Sequence, residues 1–426
     1  LTLYTQIESI KITYMYKRKV DDRWSFKEAN TKEFTHCYHI YPAMMIPQIA
    51  RTLIEEYKPK GRLDLILDPY MGSGTTLVEA SLAGINSIGT DLNPLARLMG
   101  KVKTTRYNYK SILKQFRDIQ SELIFYTEDK VKERNFDRIS NYSFWYNEDN
   151  LLKLSYISQL IKDVTDRDFF NIALSEVVRE VSFTRNGEFK RYRMNEASIA
   201  KFNPDTFTLF EKKVLRNIEG LKDYTSKVKD NVKASIYDFN TMYGIPKDII
   251  KEGNVDMVVT SPPYGDSRTT VAYGQFSRWA NEWFNFDNAK NLDNLLMGGK
   301  KATEEVFKTT SIRDVLDKIN GLEHKRYLEV VSFLNDYYQS IENVAKTVRS
   351  GGTVCYVVGD RRVKGVQIPL DYFTAEMFEK FGFKHKITLV RDIPNKRMPA
   401  LTSPSNKVGA KVSTMSHEYI VILDKL

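Results

Sequence analysis

Cysteine is nearly missing from this chain: of 426 residues only Cys37 and Cys355 carry a thiol. Two distant thiols cannot build a disulfide framework or a Cys-rich zinc site, and the scarcity fits a reducing cytoplasm. Histidine is also sparse, with five residues. His36 and His39 share a helix-like spacing, but no further His or Cys stands near them, so no metal is expected. No apolar run is long enough to span a bilayer, which argues against a membrane partner. Leu1 to Val20 mix charges with tyrosines around no apolar core, unlike a secretory leader. No internal repeat or low-complexity tract is visible, which excludes a solenoid. Two nucleotide signatures are missing as well. There is no Gly-x-Gly-x-x-Gly, which argues against a dinucleotide, and no Gly-Lys-Ser/Thr following a glycine turn. Gly298-Gly299-Lys300-Lys301 lacks the strand and helix that a phosphate loop needs.

What is present is a length beyond a typical single core, which suggests two or three structural units. The 42% hydrophobic content suffices to bury a sizeable interior. Sixty-four Lys and Arg against 54 Asp and Glu leave a formal charge of +10, a surplus that attracts polyanions.

The apolar pattern reads as an interrupted α/β chain. Ile49, Ala50, Leu53, Ile54 and Tyr57 fall at helical spacing after Pro47. Residues 63–67 form a buried strand, followed by the turn 68–74, a helix from Thr75 to about Ala83 and a short strand 87–90 ending on Asp91. This strand, glycine turn, helix and strand open a doubly wound fold. Residues 107–230 then read as mostly helical, an insertion after the second strand. The α/β rhythm resumes with strands at 232–236 and 255–259, a polar loop-rich stretch 265–324, a helix 326–348 and a strand 353–358. A closing pair of strands follows at 386–390 and 418–423. The resulting division is 1–106 as the first part of the catalytic domain, 107–230 as the insertion and 231–426 as its remainder.

In such a sheet, ligands bind beyond the carboxyl ends of the strands. Asp68, Asp91 and Asp238 all sit at such ends. Gly72 and Gly74 would let a ligand approach the backbone, with a helix N-terminus behind them. Asp91 follows Asp68 by 23 residues, about the separation at which an acid reaches ribose hydroxyls. An acid beside the glycines repels phosphate and suits a cationic ligand such as S-adenosylmethionine, which carries an ammonium and a sulfonium.

Asp68-Pro69-Tyr70-Met71-Gly72-Ser73-Gly74-Thr75-Thr76 closely resembles the first signature of amino-DNA methyltransferases, usually Asp-Pro-Phe-x-Gly-Ser-Gly-Thr-Thr. Asp91-Leu92-Asn93-Pro94 resembles the second element, whose acid holds the ribose. The resemblance implies that Asp238 contacts the adenine amino group and that Tyr41, within His39-Ile40-Tyr41-Pro42-Ala43, lines the methionine end. It also implies S-adenosylmethionine as cofactor and a class I methyltransferase fold. That fold is Rossmann-like, with a seven-stranded, mostly parallel sheet and here a helical insertion.

Thr260-Ser261-Pro262-Pro263-Tyr264 follows an apolar strand. An exocyclic amine of cytosine or adenine has its lone pair conjugated into the ring, so catalysis needs acceptors that hold the amine hydrogens while nitrogen rehybridises. The Ser261 hydroxyl and Pro262 carbonyl suit that task. Pro262 and Pro263 stiffen the backbone and remove competing N–H donors. Tyr264 offers a face for a base extruded from the duplex. The family carries Asp/Asn/Ser-Pro-Pro-Tyr/Phe here, and the Ser form is typical of its N4-cytosine group; adenine enzymes usually carry Asp or Asn. Attack at cytosine C5 would need a Cys nucleophile. Cys37 sits between His36 and Tyr38, and Cys355 reads as strand core.

The resemblance makes double-stranded DNA the partner, with a companion restriction endonuclease implied. The cofactor signature precedes the catalytic one, the reverse of most N4-cytosine enzymes, so both 107–230 and 265–324 are candidates for DNA recognition. Within the first, Arg185, Lys190, Arg191 and Arg193 cluster with aromatics, a pattern that also reads as a solvated basic turn. Arg268, Arg278 and Trp279 follow the catalytic motif, and Lys396 and Arg397 precede the final strand. An N6-adenine enzyme on the same fold, an RNA methyltransferase and a catalytically inactive DNA-binding subunit are the alternatives.

Overall fold

The computed structural model describes residues 16–185, 187, 189–266, 270–393, 401–402, 412–413 and 417–426. Among the described residues twelve strands run in chain order: β1 (Arg18–Val20), β2 (Leu65–Asp68), β3 (Asn86–Thr90), β4 (Ala234–Tyr237), β5 (Val255–Thr260), β6 (Val348–Gly359), β7 (Arg361–Val363), β8 (Val366–Ile368), β9 (Phe383–Asp392), β10 (Leu401–Thr402), β11 (Val412–Ser413) and β12 (His417–Lys425). Eight build the main sheet in the order β1-β9-β12-β6-β5-β2-β3-β4, while β7-β8 and β10-β11 are separate two-stranded ribbons. Within the main sheet only β12 runs antiparallel to its neighbours, β6 and β9. Setting β1 aside leaves seven strands in class I methyltransferase order with a reversed strand near one edge. The expected seven therefore become eight, because Arg18–Val20 adds itself parallel to β9.

The strands of the sheet centre alternate their side chains between two cores. Leu67, Val258, Val354 and Tyr356 face one, together with the helices His324–Thr347 and Leu370–Lys380. Ile66, Met257, Val259 and Cys355 face the other, against the helices Pro47–Glu56 and Thr75–Leu82. This period-two alternation with both faces covered makes a doubly wound layer. Cys355 is fully buried there.

Between β3 and β4 the chain runs through the helices Pro94–Thr104, Tyr109–Ile124, Glu148–Lys162, Arg167–Glu180 and Thr206–Thr225, with shorter turns between. Their apolar faces meet in a third core, which includes Phe116, Leu154, Phe170 and Phe210. A helix from outside this run joins it. Tyr273–Trp283 lies in the stretch that reads as loop, yet its Phe276, Trp279, Ala280 and Trp283 form one buried helical stripe in that core. Helices at Leu292–Leu295 and Arg313–Leu322 break the same stretch further.

Candidate active site

A cleft holding about 970 Å³ of empty space, open to solvent, lies beyond the carboxyl ends of β2, β3 and β5. Asp68 ends β2 and lines it. Its Oδ1 accepts from the Thr260 hydroxyl at 2.6 Å and from the Tyr70 amide at 3.2 Å. Asp91 follows β3; its Oδ2 accepts from the Gly72 amide at 3.0 Å and its Oδ1 from the Asn93 amide at 2.7 Å. These partners are neutral, and burial pushes each carboxyl up to about 6. Two carboxylates raised by desolvation in one cleft are a place where a ligand cation is stabilised. Each retains lone pairs beyond those the four donors occupy.

The glycine turn divides its labour. Gly72 has a φ of +47° and faces Tyr41, whose ring would lie 3.5 Å from a Cβ placed there. Ser73 and Thr75 also line the cleft, and the Thr75 hydroxyl donates to the Met45 carbonyl at 3.2 Å, tying the 41–45 segment to the turn. Gly74 does not line the cleft. At a φ of +80° it caps the helix Thr75–Leu82, and a Cβ on it would meet the Gly100 Cα at 2.9 Å. Its lack of a side chain serves helix packing.

Pro69 and Asn93 line the cleft. Asn93 caps the helix Pro94–Thr104 through the Leu95 amide at 3.2 Å, and its side-chain amide donates to the Tyr41 hydroxyl at 2.8 Å. Asp238 is a correction: it is exposed and outside the cleft wall, which is formed instead by Phe239, Asn240, Thr241 and Met242. Tyr237 and Phe239 are neighbours, with ring centroids 6.0 Å apart, and Asp238 between them turns the other way. Tyr273 and Met297 complete the wall from the supposed loop. Their signal in the sequence was an aromatic at the start of an unrecognised helix and a methionine before Gly298.

Ser261 and Pro263 line the same cleft, with Pro262 buried behind them. Tyr264 is not among the residues that line it; its ring borders a smaller cavity with Phe333, Leu334 and Arg361. The Tyr264 hydroxyl lies 3.0 Å from the Ser261 hydroxyl and donates to Glu418 Oε1 at 3.1 Å. Burial raises the Tyr264 phenol well above its ordinary range, with the neighbouring Glu418 charge acting the same way.

The expected DNA contacts separate into three groups. Arg268, Lys396 and Arg397 lie outside the described residues. Trp279 is fully buried, its Nε1 donating to the Thr184 hydroxyl at 2.9 Å, so it is a core residue and not a contact. Arg278 is held by Glu282 at 2.7 Å and by the Ser140 hydroxyl at 3.1 Å. Arg191 stacks 4.7 Å over the Trp279 ring, and Arg193 lies 4.3 Å over Phe144 while pairing with Glu196. These two cations anchor the 184–193 segment, which closes through a Thr184–Arg193 bridge. Arg185 stands exposed and Lys190 half-buried, beside the exposed rings of Phe189 and Tyr192. Among the described residues, no group of three or more His, Cys, Asp or Glu is placed to hold a metal. Nor is any helix long and apolar enough to cross a membrane.

Comparison with known proteins adds to this geometry. Residues 3–99 match the model of a DNA methylase family. The type II methyltransferase M.MvaI of Kocuria varians is 38% identical over 95% of this chain and 95% of its own. The type II methyltransferase M.BsoBI of Geobacillus stearothermophilus is 24% identical over 89% of this chain and 86% of its own. The type II methyltransferase M.MjaII of Methanocaldococcus jannaschii is 28% identical over 50% of this chain and 39% of its own.

Proposed function

Because the chain belongs to the amino-DNA methyltransferases of type II restriction-modification systems, which use S-adenosylmethionine, we propose that it methylates N4 of cytosine in double-stranded DNA. The observation that carries the target is Ser261, which lines the cleft that Asp68 and Asp91 also line. S-adenosylmethionine supplies, when bound, a methyl group activated by its sulfonium. Asp68, Pro69, Ser73 and Thr75 would hold its amino-acid portion together with Tyr41, and Asp91 its ribose. Asn93 fixes Tyr41, and Phe239 and Asn240, which line the cleft where Asp238 does not, would take the adenine side.

The target base is extruded into the open side of the cleft. The Ser261 hydroxyl and the Pro262 carbonyl accept the two amine hydrogens, turning the nitrogen lone pair out of conjugation and toward the donor. Pro262 and Pro263 keep that stretch of backbone free of donors that would compete for the acceptors. The reaction needs no covalent bond between base and protein.

In this reading the helical region 107–230 carries the DNA-facing segment 184–193. Arg185 and Lys190 meet phosphates, while Phe189 and Tyr192 present rings to bases. A companion endonuclease of the same sequence specificity completes the system. Nucleoside mass spectrometry of unmethylated DNA incubated with the protein and S-adenosylmethionine tests the target. N4-methylcytosine is the expected product, and N6-methyladenine in its place overturns the choice of base.

A further inference from the structure

A hydroxyl has only one hydrogen to give. The Tyr264 hydroxyl gives its hydrogen to Glu418 Oε1 at 3.1 Å. Its contact with the Ser261 hydroxyl at 3.0 Å must therefore be one in which Ser261 donates. Ser261 is thereby left with lone pairs only, on a residue that lines the cleft.

The far end of this chain of bonds is held as firmly. Glu418 Oε2 accepts from Arg391 at 2.5 Å, and the Arg391 side chain is 5% exposed. Glu418 and Arg391 are paired across β12 and β9, and Glu418 is paired with Gly359 of β6 on its other side. The carboxylate thus stands on the reversed strand, between two neighbours that fix its position along the sheet. Its charge, neutralised by a buried guanidinium, remains an acceptor at the phenol.

We propose that Glu418 is a positioning residue that acts through Tyr264 to commit the Ser261 hydroxyl as an acceptor toward the target amine. Without that commitment Ser261 could turn its hydrogen toward the cleft, where it would oppose an amine N–H donor. The proposal rests on the amino-methyltransferase reading of Ser261 and adds the polarity of that hydroxyl to it. Neither Tyr264 nor Glu418 needs to touch the reacting atoms for this effect. Glu418 stands 154 residues from Tyr264 and outside both signatures.

The test is a double-mutant cycle on steady-state methyl transfer with the full-length protein, using wild type, Tyr264→Phe, Glu418→Gln and the double variant. Phe keeps the ring and removes only the hydroxyl. We expect kcat to fall about tenfold or more in each single variant, with KM for DNA and S-adenosylmethionine within about twofold of wild type. The double variant should be no slower than Tyr264→Phe, because among the described residues Tyr264 is what links Glu418 to Ser261. Full kcat in Tyr264→Phe, fully multiplicative losses, or a change confined to KM would each overturn the proposal. Should Glu418→Gln fail to fold around Arg391, the cycle of Ser261→Ala with Tyr264→Phe replaces it. There Tyr264→Phe must cost nothing further once Ser261 is gone. Rates are read on whichever methylated base the wild type makes, so an adenine product would change the target assignment and leave this one standing.

Discussion

Asn93 donates its side-chain amide to the Ser277 hydroxyl at 2.6 Å, joining the loop after β3 to the helix Tyr273–Trp283. The same amide reaches the Tyr41 hydroxyl at 2.8 Å, and the Asn281 amide returns a bond to the Asn93 oxygen at 3.2 Å. One buried asparagine therefore caps a helix, sets a wall of the cofactor cleft and binds that cleft to the helical region. Asn93→Ala should lose the cap and strand buried partners, lowering unfolding free energy by about 2–3 kcal/mol. Chemical denaturation would read that loss, and a KM for S-adenosylmethionine raised with it would mark the displaced Tyr41. An Asn93→Ala protein with unchanged denaturation midpoint would show that the network is slack.

Gly74 and Gly72 should separate stability from binding. Alanine at position 74 would add a Cβ 2.9 Å from the Gly100 Cα at a φ of +80°, where helix Thr75–Leu82 meets helix Pro94–Thr104. Backbone against backbone has little room to yield, so Gly74→Ala should cost about 2–4 kcal/mol. At Gly72 the added Cβ only touches the Tyr41 ring at 3.5 Å. Gly72→Ala should cost about 1–2 kcal/mol in backbone strain, and it should weaken S-adenosylmethionine binding by moving the cleft wall. Thermal unfolding and calorimetric titration of both variants check the contrast. Equal stability of the two would remove the packing role from Gly74.

Acid should release the cofactor. Asp68 and Asp91 both titrate near 6 because burial disfavours their charge, so both are ionised at pH 8 and largely protonated at pH 5. A cationic ligand binds the ionised forms and pulls both values down. Affinity for S-adenosylmethionine should therefore be flat above about pH 7 and weaken progressively below about pH 6. Without ligand the sign for stability is the reverse. A carboxyl whose folded value lies above its unfolded one contributes stability at low pH, and that contribution is lost as pH rises through 6. Asp68→Asn removes this cost, so it should raise the melting temperature of the ligand-free protein by about 1–3 °C at pH 8 while abolishing turnover. A lower melting temperature in Asp68→Asn would refute the account of a carboxylate held at a cost for its ligand.

The cofactor half of the site was legible because strand, turn and helix each carried their own signal along a continuous run. Asp68 through Thr76 needed no distant partner to be understood. Asp238 misled because a strand end fixes only where an acid is, and the alternation that turns Phe239 inward turns Asp238 outward. The helix Tyr273–Trp283 was hidden for another reason. Its apolar stripe of Phe276, Trp279, Ala280 and Trp283 is interleaved with Asn, Glu and Arg, and it packs against a core built by residues far earlier in the chain. In sequence Trp279 and Arg191 resemble nucleic-acid contacts, but Trp279 belongs to that core and half-buried Arg191 caps its ring in a cation–π pair. Glu418 carried no local signal at all, since its role depends on a strand register that joins β12 to both β6 and β9.

Arg185 and Lys190 offer the cleanest distinction between a DNA-facing segment and a merely solvated one. Their neighbours Arg191 and Arg193 are committed to Trp279, Trp145 and Phe144, so those two cations hold the segment, while among the described residues no ring lies under the first pair. Charge reversal of Arg185 and Lys190 together should leave folding intact, because surface substitutions away from packed features shift stability by only about 0.5 kcal/mol. With two phosphate-binding cations removed, the slope of log affinity against log salt should fall by about 2. The weakening should be alike on cognate and unrelated duplexes, since phosphates carry no sequence, and kcat at saturating DNA should stay near wild type. Trp279→Ala gives the contrasting control, expected to cost about 3–5 kcal/mol in stability as a large buried ring is removed. Filter binding across a salt series reads the slope. A double reversal that leaves both slope and affinity unchanged would move the DNA-facing surface off 184–193 and toward the helix-bearing stretch that follows the catalytic motif.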